Sequence, residues 1–135
     1  MLEIKVSEFL KKPLITVEEE MSLRDAARVM RNEGISGLLV VNSAGQPVGV
    51  VSDTDMVRAL SRGIDKDSSV AGIMSRSFFG VSPEATLQEA ARIMKENGVS
   101  RLFVVRGAHG KTELSQMPEG IISISDIISA MAGWG

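Results

Sequence analysis

Two short stretches of the chain set a serine and an aspartate three residues apart where an apolar run ends. They are Ser52 and Asp55 in GVVSDTDMVRAL (49–60) and Ser123 and Asp126 in GIISISDIISAM (120–131). The spacing supports two readings. In a capping box the serine accepts a backbone N–H at a helix start, and the acid three residues on reaches back to the serine. In a binding element the same helix start offers unpaired N–H groups and partial positive charge to a phosphate. The hydroxyls of Ser52, Thr54, Ser123 and Ser125 then add partners for phosphate oxygens. The aspartate narrows the ligand: its carboxylate repels a phosphate but accepts hydrogen bonds from the vicinal hydroxyls of a ribose. Apolar residues just before each cluster are placed to flank a purine. The two readings are compatible, and the second points to a nucleotide carrying both sugar and phosphate.

Other candidate groups are weaker. Arg101 supplies a cation directly before an apolar run in the second half of the chain, where the first half has Gly37. The two clusters should therefore attract anions unequally, unless Arg101 is only a solvated surface residue. His109, the single histidine, lies between glycines in GAHGK and reads as a surface residue rather than a catalytic base; no Ser-His-Asp set forms around it in the sequence. Asp53–Asp55 and Asp65–Asp67 resemble fragments of a calcium loop but lack its glycine and distal glutamate, so both read as solvated turns. GISG (34–37) has the glycine spacing of a KH-type clamp without its basic residues. Trp134 reads as packing at the end of the last helix, with a partner anchor as the alternative.

The elements that position these residues are written twice. A shift of 64 residues lays Val6 on Val70, Val17 on Val81, Leu23 on Leu87, AARVM (26–30) on AARIM (90–94) and GISGLLVV (34–41) on GVSRLFVV (98–105). Beyond Val105 the shift becomes 71, because the second copy carries seven extra residues in RGAHGKTELSQMPEG, read as a polar loop. Each copy reads strand, helix, strand, strand, helix. Leu23, Ala26, Ala27 and Met30 share one helical face, with Ser22 as N-cap and Gly34 as stop. LLVV, NSAGQ and PVGVVS form a buried hairpin, and DMVRALSRG the closing helix. VSEFL and VAGIM read as linker helices. Runs as apolar as LLVV and LFVV require cover on both faces, more than one copy supplies, so the copies should pack together as a pseudo-two-fold body.

Composition bounds the rest. Fifteen basic and seventeen acidic residues give a formal charge of −2 and a pI near 5.4, without the footprint of a general nucleic-acid binder. Without cysteine there is no disulfide, thiolate metal site or cysteine nucleophile. No apolar run approaches the roughly 20 residues of a membrane span, and the N-terminus lacks a signal-peptide pattern. A cytoplasmic protein with no membrane or nucleic-acid partner is expected.

The ordered pair GISGLLVV…GVVSDTD and GVSRLFVV…GIISISD, each ending in G-h-h-S-x-[ST]-D with h apolar, resembles tandem cystathionine beta-synthase (CBS) domains, a freestanding Bateman module, over essentially the whole chain. The resemblance implies an α/β (α+β) fold of two β-α-β-β-α repeats, residues 1–65 and 66–135. It implies adenosine-containing ligands: AMP, ADP or ATP, less often S-adenosylmethionine or NAD. It also implies clefts that draw on both repeats. One would take apolar base contacts from Ile15 and Ile35, polar contacts from Ser36, Ser100 and Arg101, phosphate contacts from Ser123 and Ser125 and a ribose contact from Asp126. The other would use Phe79, Val99, Ser100, Ser36, Gly37, Ser52, Thr54 and Asp55. For the apolar members, ordinary core packing is the competing role. The chain departs from the family in lacking a strand proline and in having Gly37 where a bulkier or basic residue is common, which favours the Asp126 cleft.

The implied function is a non-enzymatic regulatory module that signals energy state to a partner, an enzyme or transporter, and pairs into a homodimer through exposed helix faces. No acid–base pair suggests catalysis, and no cofactor or metal is expected beyond the regulatory nucleotide. The alternative is an interaction scaffold whose Ser–Asp pairs are caps alone.

Overall fold

The computed structural model describes residues 3–10 and 14–133. Trp134 lies outside the described residues. The chain divides into two compact units, one of residues 15–77 and one that joins the N-terminal segment to residues 78 onward.

In the first unit, β1 (Thr16–Glu18) runs parallel to β2 (Gly37–Val41), which pairs antiparallel with β3 (Pro47–Ser52). Between β1 and β2 lies α1 (Leu23–Glu33), and α2 (Asp53–Ser61) follows β3 directly. The helix ends form where the residue types allow. Ser22 Oγ accepts the Asp25 N–H at 3.1 Å, and Gly34 ends α1 at φ 63°, a left-handed conformation that only glycine adopts without strain. Leu23, Ala26 and Met30 bury their face of α1 against Val17, Leu38, Val40 and Val51 of the sheet, whereas Ala27, expected on the same face, is exposed.

The second unit repeats the plan. β4 (Ser77–Val81) runs parallel to β5 (Arg101–Val104), β5 pairs antiparallel with β7 (Gly120–Ser123), α3 (Leu87–Asn97) lies between β4 and β5, and α4 (Ile124–Ala132) follows β7. Its core uses the equivalent residues Val81, Leu87, Ala90, Met94, Leu102, Val104 and Ile122. β2 and β5 are buried almost throughout, as their unbroken apolar sequences require.

The seven-residue insertion departs from the expected loop. His109–Glu113 forms β6, at the edge of the sheet beside β4 in the order β6-β4-β5-β7. Gly80 of β4 permits this close packing: a Cβ there would stand 3.0 Å from Ala108 Cβ and 3.1 Å from Thr112 Oγ1. Ala108 and Leu114, which bracket β6, are buried, whereas His109, Lys111 and Glu113 face outward. His109 is thus exposed, as expected, but sits on a strand.

The linkers exchange places. Val6–Phe9 and Val70–Gly72 form short 3-10 turns, and each packs in the unit of the other repeat. Val6 N–H donates to Ala85 C=O at 2.8 Å and Leu87 N–H to Ile4 C=O at 3.0 Å. In the other unit, Val70 N–H donates to Met21 C=O at 2.8 Å and Leu23 N–H to Ser68 C=O at 2.8 Å. These are the same bonds at a shift of 64 residues. Val6 and Val70 are fully buried. Leu10 and Met74 lie over Gly120 and Gly49, where an added Cβ would come within 3.0 and 2.8 Å of them. The glycine that opens each G-h-h-S strand therefore makes room for a linker side chain.

Val6→Ala and Val70→Ala each remove two methyl groups from a filled core, and each should cost about 2 kcal/mol. Urea unfolding of the two variants measures this. A loss at Val6 below about 0.5 kcal/mol would show that the N-terminal linker does not hold its unit together.

Candidate functional site

The sequence-predicted residues fall seven to a unit. Ile15, Ile35, Ser36, Gly37, Ser52, Thr54 and Asp55 belong to the first, and Phe79, Val99, Ser100, Arg101, Ser123, Ser125 and Asp126 to the second. Within each unit most of them gather where the antiparallel pair opens onto a helix N-terminus. Gly37 is the cross-strand partner of Ser52, and Arg101 of Ser123. Ser36 C=O accepts the Asp53 N–H at 2.9 Å, and Ser100 C=O accepts the Ile124 N–H at 3.0 Å, so each loop before the middle strand is tied to the start of the helix. Ile15 and Phe79 are equivalent at the shift of 64 residues, Ile15 directly before β1 and Phe79 on β4. Ile15, Ile35, Phe79 and Val99 are partly buried against their unit's core, the packing role weighed against base contact.

The aspartates reach back as a capping box predicts. Asp55 Oδ2 accepts the Ser52 N–H at 2.8 Å and the Ser52 hydroxyl at 3.0 Å. Asp126 Oδ2 accepts the Ser123 N–H at 2.8 Å and the Ser123 hydroxyl at 3.1 Å. Ser52 Oγ in turn accepts the Asp55 N–H at 3.2 Å. Asp53–Asp55 therefore lie in the first turn of α2 rather than in a solvated turn, while Asp65–Asp67 do form an exposed turn in which Asp65 Oδ1 accepts the Asp67 N–H at 2.7 Å.

Capping leaves one oxygen of each carboxylate, and here the copies diverge. Asp55 Oδ1 accepts Arg58 Nη1 at 3.0 Å; Asp126 Oδ1 has no hydrogen-bond or ion-pair partner among the described residues. Residue 129, equivalent to Arg58, is a serine. The Asp55–Arg58 contact was available from the three-residue helical spacing, but the sequence reading stopped at the cap.

The surroundings differ as well. Ser123 Oγ lies 2.8 Å from Ser125 Oγ, making a hydroxyl pair at the start of α4, whereas Thr54 Oγ1 turns to Asp53 at 3.4 Å. Arg101 Nη2 donates to Ser100 Oγ at 2.7 Å, so a cation stands on the strand next to that hydroxyl pair; Gly37 puts no side chain at the equivalent place. Lys111 of β6 places Nζ 5.1 Å from the centre of the Phe79 ring, a cation–π contact that the insertion brings to this residue.

A second feature lies on the helices of the first unit. Leu23 and Ala27 of α1, Met56, Val57 and Leu60 of α2, and Ile64 line a groove of about 580 Å³, edged by Arg24, Arg28, Arg31 and Lys66. Val57 is 68% and Leu60 78% exposed. Their equivalents on α4, Ile128 and Met131, are exposed too. Among the described residues, no helix is long and apolar enough to cross a membrane.

Comparisons with known proteins agree with this architecture. The CBS domain model matches the chain twice, at residues 6–62 and 70–133. An uncharacterized conserved protein from Pyrococcus horikoshii superposes with a TM-score of 0.84 at 23% identity, covering 100% of this chain and 97% of that one. A CBS domain protein from Pyrobaculum aerophilum, solved in complex with AMP, gives 0.72 at 24% identity over 97% and 100% of the two chains. A CBS domain pair solved with 5′-methylthioadenosine and S-adenosyl-L-methionine gives 0.76 at 24% identity over 96% and 97%. The chain spans 73% of a 17.7 kDa Acidianus ambivalens relative that is 29% identical over 127 residues, and 24% of a homoserine O-acetyltransferase from Methanosalsum zhilinae. Two repeats with one strand order, equivalent caps and equivalent linkers, each matched by the same family model, place this chain in the CBS-domain family, as a tandem pair.

Proposed function

We propose that this chain is a non-enzymatic regulatory module that binds an adenosine nucleotide and reports it to a partner protein. The observation that carries the reading is Asp126 Oδ1, an acceptor held in place by the cap yet without a partner among the described residues, next to the Ser123–Ser125 hydroxyl pair. In this reading the oxygen takes the ribose hydroxyls. The serine hydroxyls and the α4 N-terminus take the phosphate, and Arg101, across the strand pair, adds a positive charge. The AMP and S-adenosylmethionine complexes of structural neighbours support an adenosine moiety as the shared part of the ligand. Regulation then needs only a difference in ligand affinity between two states of the module, which a partner reads.

The module pairs with a second copy in this reading. The supporting observation is that both repeats expose large apolar side chains at the same helical positions, Val57 and Leu60 on α2, Ile128 and Met131 on α4. Such faces suit self-association.

AMP, ADP or ATP at a hundred times its dissociation constant should stabilise the protein by about 2.7 kcal/mol, read as a rise in melting temperature. Asp126→Asn separates the two duties of the carboxylate: its amide oxygen can keep the cap while the outward acceptor becomes a donor. The expected result is loss of most of the thermal shift with little change in the ligand-free melting temperature. Asp126→Ala, which loses the cap as well, should also cost about 1 kcal/mol of ligand-free stability. A melting curve unmoved by AMP, ADP, ATP, S-adenosylmethionine and NAD would leave the scaffold reading in place of this one.

Leu60→Asp puts a charge on a residue that packs little in the single chain. It should halve the mass measured by light scattering while keeping the circular dichroism spectrum. An unchanged mass would remove the α2 face from the interface.

A further inference from the structure

The two units carry the same capped frame, and at the remaining carboxylate oxygen one side chain separates them. We infer that Arg58 acts as an internal competitor that withholds the Asp55 carboxylate from a sugar, so that the ligand-free chain presents one ribose acceptor and not two. The inference rests on the nucleotide reading above and specifies its stoichiometry and the residue that sets it.

The accounting is by carboxylate oxygen. In both repeats Oδ2 is spent on the cap, with the serine N–H at 2.8 Å. A ribose therefore competes for Oδ1 alone. In the second repeat that oxygen has no partner among the described residues. In the first it takes a charge-assisted bond from the Arg58 guanidinium at 3.0 Å. Both donors would meet an ionised carboxylate, but only the guanidinium brings a full positive charge of its own, so a neutral sugar hydroxyl is the weaker competitor. The contact is also local: Asp55 and Arg58 lie three residues apart on one helix, so it forms without ordering any other part of the chain. Asp55 is well shielded, its side chain 19% exposed against 49% for Arg58. Residue 129 is a serine and makes no such bond to Asp126.

Arg58 is only partly a barrier. An exposed ion pair is worth little in water, so Arg58 weakens the Asp55 site rather than abolishing it, and its removal should strengthen binding there by roughly two-fold to five-fold. Gly37 works in the same direction for the phosphate, because it offers no cation where the second repeat has Arg101. A ligand without phosphate isolates the part due to Arg58.

Calorimetric titration with adenosine and with AMP tests this on wild type, Arg58→Ser, Arg58→Lys, Asp55→Asn and Asp126→Asn. Wild type should bind one tight equivalent that is lost in Asp126→Asn and kept in Asp55→Asn. Arg58→Ser should tighten a second, weaker adenosine site by that factor, an effect that Asp55→Asn removes from the double variant, and Arg58→Lys, which retains a cation, should not. Two equal sites in wild type, a tight site that depends on Asp55, or an Arg58→Ser variant whose affinity for a second adenosine is no higher than that of wild type would each overturn the inference while leaving nucleotide binding intact. No heat with either ligand in wild type and Arg58→Ser would overturn the nucleotide reading and this inference together. Because Arg58 is exposed, equal melting temperatures of ligand-free wild type and Arg58→Ser serve as the folding control.

Discussion

A helix that begins directly at the end of a strand leaves N–H groups without an acceptor inside the helix, and in this protein an aspartate three residues on supplies one. That backward bond, 2.8 Å long in both repeats, fixes where strand becomes helix and therefore where the serine hydroxyls, the helix N-terminus and the second carboxylate oxygen stand. One oxygen of the carboxylate is structural, and what happens to the other distinguishes the two repeats.

Duplication explains why so few residues can create that difference. The frame is reproduced down to individual backbone bonds, linker to the start of α1 or α3 and loop carbonyl to the start of α2 or α4, and to the glycine beneath a linker side chain. Against such a frame, single replacements stand alone as variables. Gly37 against Arg101 alters the charge beside the helix start, and Arg58 against Ser129 alters what faces the carboxylate. Neither touches the cores, which are filled by equivalent residues in both units. Binding properties can therefore diverge between the repeats at little cost to folding.

Most of the frame is legible in the sequence because it rests on local, periodic signals. Helix faces, Ser22 and Gly34 as caps, the hairpin and the Ser–Asp boxes all follow from spacing within a dozen residues. What escaped depends on other information. HGKTE carries no alternating apolar pattern; it becomes a strand because Gly80 opens the side of β4 and because Ala108 and Leu114 are buried on either side of it. The exchange of linkers joins residues about 80 positions apart, such as Val6 and Ala85, and no periodicity announces it. Arg58 was within reach of the helical pair rule, yet a charged residue three positions from an acid is so common on helix surfaces that its partner becomes informative only beside Asp126, whose Oδ1 has no partner among the described residues.

The crossed linkers also decide how this polypeptide can be divided. A fragment cut at the repeat boundary would leave Val6 and Leu10 attached to the half they do not serve, and would strip Ala85, Leu87 and Gly120 of the segment that covers them. The unit that is continuous in sequence is 15–77. Its counterpart exists in one continuous chain only after circular permutation, with the N-terminal ten residues rejoined to the other segment of their unit. Gene dissections that follow the repeat rather than the packing would thus break both units, since 1–65 lacks Val70 and 66–135 lacks Val6, and their insolubility would say nothing about the strength of the fold.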